Sequence, residues 1–275
     1  MSPRELNRAL AAATAAAEAA GALMRTHLRR TKKVNETTQH DIKLDLDVRC
    51  QRVITRTLAA EFPGIPVLGE EGVDTAVAGA PARWVVDPID GTVNFAHGIP
   101  HAAVSIALQV RESSRSAGYA DGYASVVGVV LEPFVGECFT ALRGRPAKLN
   151  GRAIRVSRRP LDQAIVSLGF SGRAGSLEAM VEDVRNLSRR VRKLRMMGSA
   201  ALALVYVADG RFDAYVENSI RLWDVAAGGL IVECAGGEFW RRELPGDHLF
   251  ALAATNGLLR RPLERLAGRG QVPRG

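Results

Sequence analysis

Trp84-Val85-Val86-Asp87-Pro88-Ile89-Asp90-Gly91-Thr92 is the stretch whose reading decides the fold. An apolar run ending in two aspartates that straddle a proline reads as a buried strand closed by a rigid turn. Both carboxylates are then held at the strand's carboxyl end, where open α/β sheets place their ligands. Paired carboxylates on rigid backbone need an opposite charge, and a hard divalent cation is the natural candidate. Asp87 is placed to bridge two cations, Asp90 to bind one, and the carbonyl of Ile89 adds a hard oxygen between them. The following Gly91-Thr92-Val93-Asn94-Phe95 reads as the start of a helix, whose exposed amides bind phosphate oxygens. An Asp-Pro turn with a helix-capping Asp90 is the plain structural alternative.

Two further acidic runs frame this one. Gly69-Glu70-Glu71 follows the apolar Val67-Leu68. Adjacent residues on an extended chain point to opposite sides, so only one of the two glutamates can face a shared site. A glutamate beside a bound cation stays ionised and accepts a proton from water, and the Thr92 hydroxyl is placed to orient that water. Far downstream, Trp223-Asp224-Val225-Ala226-Ala227-Gly228 puts an aspartate in the first turn of a helix with a small-residue face, which lets the helix approach another element closely. Each run alone has a structural explanation: solvated glutamates, or an N-cap aspartate.

Outward from these motifs, apolar residues at Leu6, Leu10, Ala13, Ala17, Ala20, Met24 and Leu28 predict a helix over 4–30. Thr31 to Gln39 reads as a polar loop. A second helix is predicted from Asp45 to Glu61, stopped by Phe62-Pro63-Gly64. Strands are predicted at 65–68, 84–86, 103–110, 125–131 and 139–142, with loops at 113–122 and 143–151. The remainder alternates: strands at 165–168, 193–196, 212–216 and 249–253, and helices at 177–190, 200–208, 224–234 and 257–266. This alternation argues for layered α/β or α+β sheets in one domain of two packed halves, about 1–145 and 146–268, with a disordered tail at 269–275.

The 275 residues are 47% hydrophobic and 24% charged, ordinary for a globular protein. No apolar run reaches membrane-spanning length, and the charge-punctuated N-terminus lacks a signal-peptide pattern, so a cytoplasmic location is expected. Cys50, Cys138 and Cys234 are far apart, without Cys-x-x-Cys or zinc spacing, and are expected to be reduced. The net charge of +8 invites a nucleic-acid reading, but the arginines are scattered and aromatics total only 5%. Nucleic acid is therefore not the expected partner, and the charge serves instead to draw an anionic substrate.

Together the three runs resemble the inositol monophosphatase family, the lithium-sensitive magnesium-dependent sugar-phosphate phosphatases. Its pattern of Gly-Glu-Glu, Asp-Pro-Ile-Asp-Gly-Thr and Trp-Asp-x-Ala-Ala-Gly is met in order at Gly69 to Glu71, Asp87 to Thr92 and Trp223 to Gly228. Asn94-Phe95, Gly198-Ser199-Ala200-Ala201-Leu202 and Asp213-Ala214-Tyr215-Val216-Glu217 extend the match over roughly 4–265. The resemblance implies a layered α-β-α-β-α sandwich and two magnesium ions, possible third site aside. Glu70, Asp87 and the Ile89 carbonyl would hold one ion; Asp87, Asp90 and Asp224 would hold the other. It implies in-line attack by a water that Glu70 and Thr92 orient, with the amides of Gly91 and Thr92 holding the phosphate. It assigns Gly198, Ser199 and Ala200 to the wall around the substrate's organic part and Glu217 to its hydroxyls. Ser171 falls near a further substrate-contact position. A homodimer is the family default.

One segment departs. The family reads Asp-x-Val-Thr-x-x-Asp before the second helix; here Asp41-Ile42-Lys43-Leu44-Asp45-Leu46-Asp47 keeps the framing aspartates but loses the threonine. Asp47 remains a candidate for a third, weaker magnesium through water, with a surface-helix role as the alternative. The expected activity is hydrolysis of a small polyol or sugar phosphate, inositol 1-phosphate first. Histidinol-phosphate phosphatase, fructose-1,6-bisphosphatase and 3′(2′),5′-bisphosphate nucleotidase are rivals of the same class. A regulatory or RNA-binding protein on the same scaffold is the alternative of a different class.

Overall fold

The computed structural model describes residues 1–37, 42–73, 77, 79–112, 118, 119, 121–170 and 176–266. The predicted tail at 269–275, Asp41 and Ser171 lie outside these residues. The chain opens on helix α1 (Pro3–His27), for which Ser2 and Glu5 form a capping box: the Ser2 side chain accepts the Glu5 amide, and the Glu5 carboxylate accepts the Ser2 amide. The predicted stripe of α1 is buried at Ala13, Ala17, Ala20 and Met24 but only half-buried at Leu6, Leu10 and Leu28, and Ala9, Ala12 and Ala16 widen the buried line. The reason is proximity: a Cβ on Gly21 would stand 2.8 Å from Leu131 Cδ2, so only small side chains fit between this helix and the sheet below.

The segment expected as a polar loop, 31–39, contains strand β1 (Val34–Thr37), which pairs antiparallel with β2 (Ile42–Leu44) beyond it. Helix α2 (Asp45–Glu61) follows as predicted. The first large sheet is built from β3 (Val67–Gly69), β4 (Gly72–Val73), β5 (Ala82–Asp90), β6 (Ala103–Arg111), β7 (Tyr123–Glu132), β8 (Glu137–Leu142), β9 (Lys148–Leu149) and β10 (Arg152–Ala153), with the short helix α3 (Thr92–Ala96) after β5. Its order is β10-β9-β8-β7-β6-β5-β3-β4, and only the β3–β5 pairing is parallel. Strand β9 arises inside the predicted loop at 143–151, and β10 just beyond it carries this sheet to Ala153.

The remaining elements are β11 (Ile165–Leu168), α4 (Ser176–Leu187), β12 (Lys193–Arg195), α5 (Ala200–Ala208), β13 (Ala214–Arg221), α6 (Leu222–Cys234), β14 (Glu238–Glu243), β15 (Leu249–Thr255) and α7 (Arg260–Leu266). They form a second sheet in the order β12-β11-β13-β15-β14, parallel across β12, β11 and β13 and antiparallel across the rest.

The layers follow from which faces are apolar. Helices α1 and α2 cover one face of the first sheet and share a core with it. Helices α5 and α6, apolar all round, lie between the two sheets. Helices α4 and α7 cover the outer face of the second sheet. The result is the α-β-α-β-α sandwich that the sequence reading expected.

The closest approach lies on the inner side. A Cβ on Gly128 of β7 would be 2.9 Å from the backbone oxygen of Ala227, and one on Gly228 would be 2.7 Å from Leu204 Cβ of α5. The small-residue face read from Ala226-Ala227-Gly228 is thus what seats α6 against both the first sheet and α5.

Candidate active site

Strand β5 presents its two aspartates through a bulge. Asp87 pairs with Ser105 on β6, whereas Asp90 pairs with Ala103, so three steps on β5 oppose two on its neighbour. In a regular strand residues three apart face opposite sides; the extra residue restores Asp90 to the side of Asp87. Pro88 has no amide to contribute to the ladder, and the Ile89 amide donates to Asp87 Oδ1 at 3.0 Å, which fixes that carboxylate. Gly91 then reverses the chain at φ 90°, where a Cβ would sit 3.0 Å from the backbone oxygens of both Gly198 and His101.

Asp224 reaches the same place from the first turn of α6, where its Oδ2 accepts the Arg221 amide at 3.0 Å. The Ser105 hydroxyl donates to the Trp223 carbonyl at 3.1 Å and ties this helix start to β6. Asp90 faces the start of α5: its carboxylate accepts the Ser199 hydroxyl and the amides of Ala200, at 3.2 Å, and Ala201, at 2.9 Å. One oxygen from each of Asp87, Asp90 and Asp224 lies within 4.8 Å of the others. Glu70, at the end of β3, lines the same cavity of about 450 Å³.

Burial and mutual repulsion strain this cluster electrostatically. Burial pushes the Asp90 carboxyl up to about 6 against its hydrogen bonds from α5, and burial with the charge of Asp90 pushes Asp224 up to about 7. Asp87 rises well above the carboxylate range through burial and the charges of Glu70, Asp224 and Asp90. Among the described residues no lysine or arginine forms an ion pair with these three aspartates. An all-oxygen, multiply charged, uncompensated donor set is what a hard divalent cation takes.

The sequence-predicted residues assemble closely. Ile89, Gly91, Thr92, Gly198, Ser199, Ala200 and Glu217 all line the cavity with the carboxylates. The Thr92 hydroxyl donates to the Ile89 carbonyl at 2.8 Å, leaving its oxygen lone pairs to accept. Burial pushes Glu217 up to about 8, and the Tyr215 hydroxyl donates to its carboxylate. A Cβ on Gly169 would collide with that carboxylate, so the glycine makes its room. Glu71, by contrast, lies apart: its amide donates to Gln51 Oε1 at 2.9 Å, and it borders a surface groove with Arg52 and Arg56.

Asp47 does not line the cavity. It is 2% exposed, and its Oδ2 accepts the Leu44 amide at 2.7 Å, which caps α2.

The sequence reading gave no role to Asn94, whose amide nitrogen donates to the carbonyls of Met197, at 2.8 Å, and His101, at 2.9 Å. It thereby pins the Gly198 loop to the loop after α3. Nor did it single out Tyr215, Val93, Phe170 or Met196, which complete the wall. An amide just past the turn was the one signal available for Asn94; Val93 follows the same turn on α3, and Tyr215, Phe170 and Met196 come to the cavity through the packing of the second sheet.

Comparison with known proteins agrees with this geometry. The family model described as the inositol monophosphatase family matches residues 5–267. The Nus factor SuhB of Pseudomonas aeruginosa is 39% identical over 243 residues, 86% of this chain and 85% of that protein. The inositol-1-monophosphatase of Rhizobium meliloti is 40% identical over 204 residues, 73% of this chain and 71% of that protein. Among solved structures, the extragenic suppressor protein suhB from Bartonella henselae superposes with a TM-score of 0.83 at 33% identity, covering 96% of this chain and 99% of that one. The Thermotoga maritima IMPase gives 0.78 at 30% identity, with 92% and 93% covered.

Proposed function

This chain belongs to the inositol monophosphatase family, and on that premise we propose that it is a magnesium-dependent phosphatase of small polyol or sugar phosphate monoesters, with inositol 1-phosphate as the first substrate. The observation that carries this reading is the convergence of Asp87, Asp90 and Asp224 within 4.8 Å, beside Glu70 and Thr92. The donor set fits the metal: it offers only oxygen, Asp87 and Asp90 are buried and Asp224 half-buried, and among the described residues these three form no ion pair with a lysine or arginine. Glu70, Asp87 and the Ile89 carbonyl would hold one magnesium, and Asp87, Asp90 and Asp224 a second. When bound, the pair would polarise the phosphate, sharpen the nucleophilicity of water and offset charge on the departing alcohol oxygen.

The chain's own groups then divide the work. Glu70 accepts the proton of the attacking water. The Thr92 oxygen orients that water, because its own hydrogen is held by the Ile89 carbonyl. The amides of Gly91 and Thr92, in the first turn of α3, hold phosphate oxygens. Ser199 and the start of α5 hold Asp90 in place, while the Gly198-Ser199-Ala200 wall and Glu217 receive the alcohol. Lithium inhibition and a homodimer are further parts of the proposal, carried by the family.

The test is a phosphate-release panel of inositol 1-phosphate, histidinol phosphate, fructose 1,6-bisphosphate and adenosine 3′,5′-bisphosphate, with magnesium, and with lithium added. Release from inositol 1-phosphate that needs magnesium supports the reading; its absence with every ester defeats it. The similarity to proteins called Nus factor SuhB favours a second reading, a regulatory role for the same scaffold. A salt-sensitive RNA shift that persists in Asp90→Asn would support that role.

A further inference from the structure

Asn94 lines the cavity, yet its carboxamide has no hydrogen left for a ligand. The nitrogen carries two hydrogens, and the carbonyls of Met197, at 2.8 Å, and His101, at 2.9 Å, take both. The Gly198 carbonyl stands 3.3 Å from the same nitrogen. The oxygen that remains can only accept, so the group offers a phosphate nothing.

The glycines around Asn94 leave it little freedom. Gly198 is left-handed at φ 75°, and a Cβ there would stand 3.1 Å from Asn94 Nδ2. A Cβ on Gly91 would in turn press on the Gly198 and His101 oxygens, two of the carbonyls around that nitrogen. The carboxamide therefore fills a tight slot, and its place sets where the 197–199 backbone runs.

That backbone leads straight into the groups that hold Asp90. The Ser199 hydroxyl donates to the Asp90 carboxylate, and the amides of Ala200 and Ala201 do so at 3.2 and 2.9 Å. Residues 90–94 and 197–201 are thus fastened at both ends, by Asp90 at one and by Asn94 at the other. Three donors fix the rotation of the carboxylate and so the direction of its remaining lone pairs. A carboxylate held in this way takes a cation without first being ordered, and partners beyond the ligands set metal affinity by about 10–100-fold. With the Asn94 fastening gone, the segment is free to swing about Ser199.

We propose that Asn94 is a positioning residue for the cation site: by fastening Met197 and Gly198 it keeps the three donors to Asp90 in register, and so sets the affinity for magnesium without touching the ion. This rests on the metal set of the phosphatase reading and deepens it.

Magnesium binding to the full-length protein is measured by isothermal titration calorimetry, with no ester present. Wild type, Asn94→Ala, Ser199→Ala and the double variant are compared. Asn94→Ala should raise the dissociation constant about 10-fold. Ser199→Ala should raise it several-fold. The double variant should fall clearly short of the product of the two, because a segment already loosened loses less with its second fastening. A role confined to folding lowers Tm and leaves the dissociation constant in place, and that result overturns the proposal. So does a double variant in which the single effects simply multiply. If Asn94→Ala does not fold, Asn94→Ser, whose shorter side chain cannot reach the carbonyls, is read against the same outcomes. A wild type that binds no magnesium overturns the metal reading and the positioning role together. Wild-type binding that the Asn94 variants match overturns the positioning role alone.

Discussion

The hydroxyl of Ser199 donates to the carboxylate of Asp90 across 109 residues of chain. That bond joins the strand that carries the Asp87–Asp90 turn to the helix that walls the same cavity. Ser199 also accepts the Leu202 amide as the N-cap of α5. Ser199→Ala should therefore have two effects. Removal of the cap costs about 1 kcal/mol of stability. Loss of a donor to Asp90 moves that carboxyl further up and weakens its hold on a cation, so the magnesium concentration for half-maximal phosphate release should rise several-fold. An unchanged magnesium titration refutes the link.

Asp90→Asn should abolish magnesium-dependent phosphate release, by at least ~100-fold, while leaving the fold intact. The substitution removes one of several buried like charges, so thermal unfolding of the metal-free protein should occur at the same temperature or higher. Turnover near that of the wild type in this variant would remove Asp90 from the metal set.

Cation binding to the native state alone raises stability by mass action. Magnesium at about 100 times its dissociation constant should add about 2.7 kcal/mol. The wild-type Tm should rise with magnesium and drop again on chelation, and Asp224→Asn should blunt the response. Equal shifts in wild type and Asp224→Asn would place the bound ion elsewhere.

Asp183 offers a pH test remote from the Asp87, Asp90 and Asp224 cluster. It sits on α4, 2% exposed, with Oδ1 unpartnered and the Asn218 amide 3.4 Å from Oδ2. Burial pushes its carboxyl up to about 6 from 3.8. The native state thus holds the proton more tightly than the unfolded chain, and the resulting stability is present below about pH 4 and lost as pH rises through about 6. Asp183→Asn should accordingly raise Tm at pH 8 relative to wild type and give no gain near pH 4. Calorimetry at the two pH values reads the difference; a gain that does not depend on pH contradicts the assignment.

Gly91→Ala tests the turn itself. The residue is left-handed, and the new methyl would press on two backbone oxygens that cannot move independently. A loss of about 1–3 kcal/mol is expected, together with weaker activity because the turn places Asp90 and Thr92. A variant as stable as wild type would mean that the Gly198 and His101 loops yield.

Much of the site was legible because its chemistry is local. Asp87, Pro88, Asp90 and Gly91 dictate a strand, a bulge and a reversal within a few residues, and Ser199 and Asp224 announce helix starts. What escaped depends on distant packing. Strand β14, Glu-Phe-Trp-Arg-Arg-Glu, carries charge where a buried strand would carry carbon, because it is the sheet's edge. Strand β13 runs five residues beyond its predicted end at Val216, since Glu217, Asn218, Ser219 and Arg221 break the apolar pattern there. On α1 the alanines and Met24 of the predicted stripe are buried, whereas its leucines lie half-buried at the margin, because closeness to the sheet mattered more than side-chain size.

The bulge at Asp87 and Asp90 supplies two carboxylates, but the third comes from α6, and Asp90 is held by amides from α5. No short contiguous fragment contains the set. A nascent chain that has emerged as far as Thr92 has the turn but lacks the third carboxylate, which joins the cluster only after Asp224 has docked. On the proposed phosphatase reading, hydrolytic competence would thereby be deferred until synthesis and folding are nearly finished.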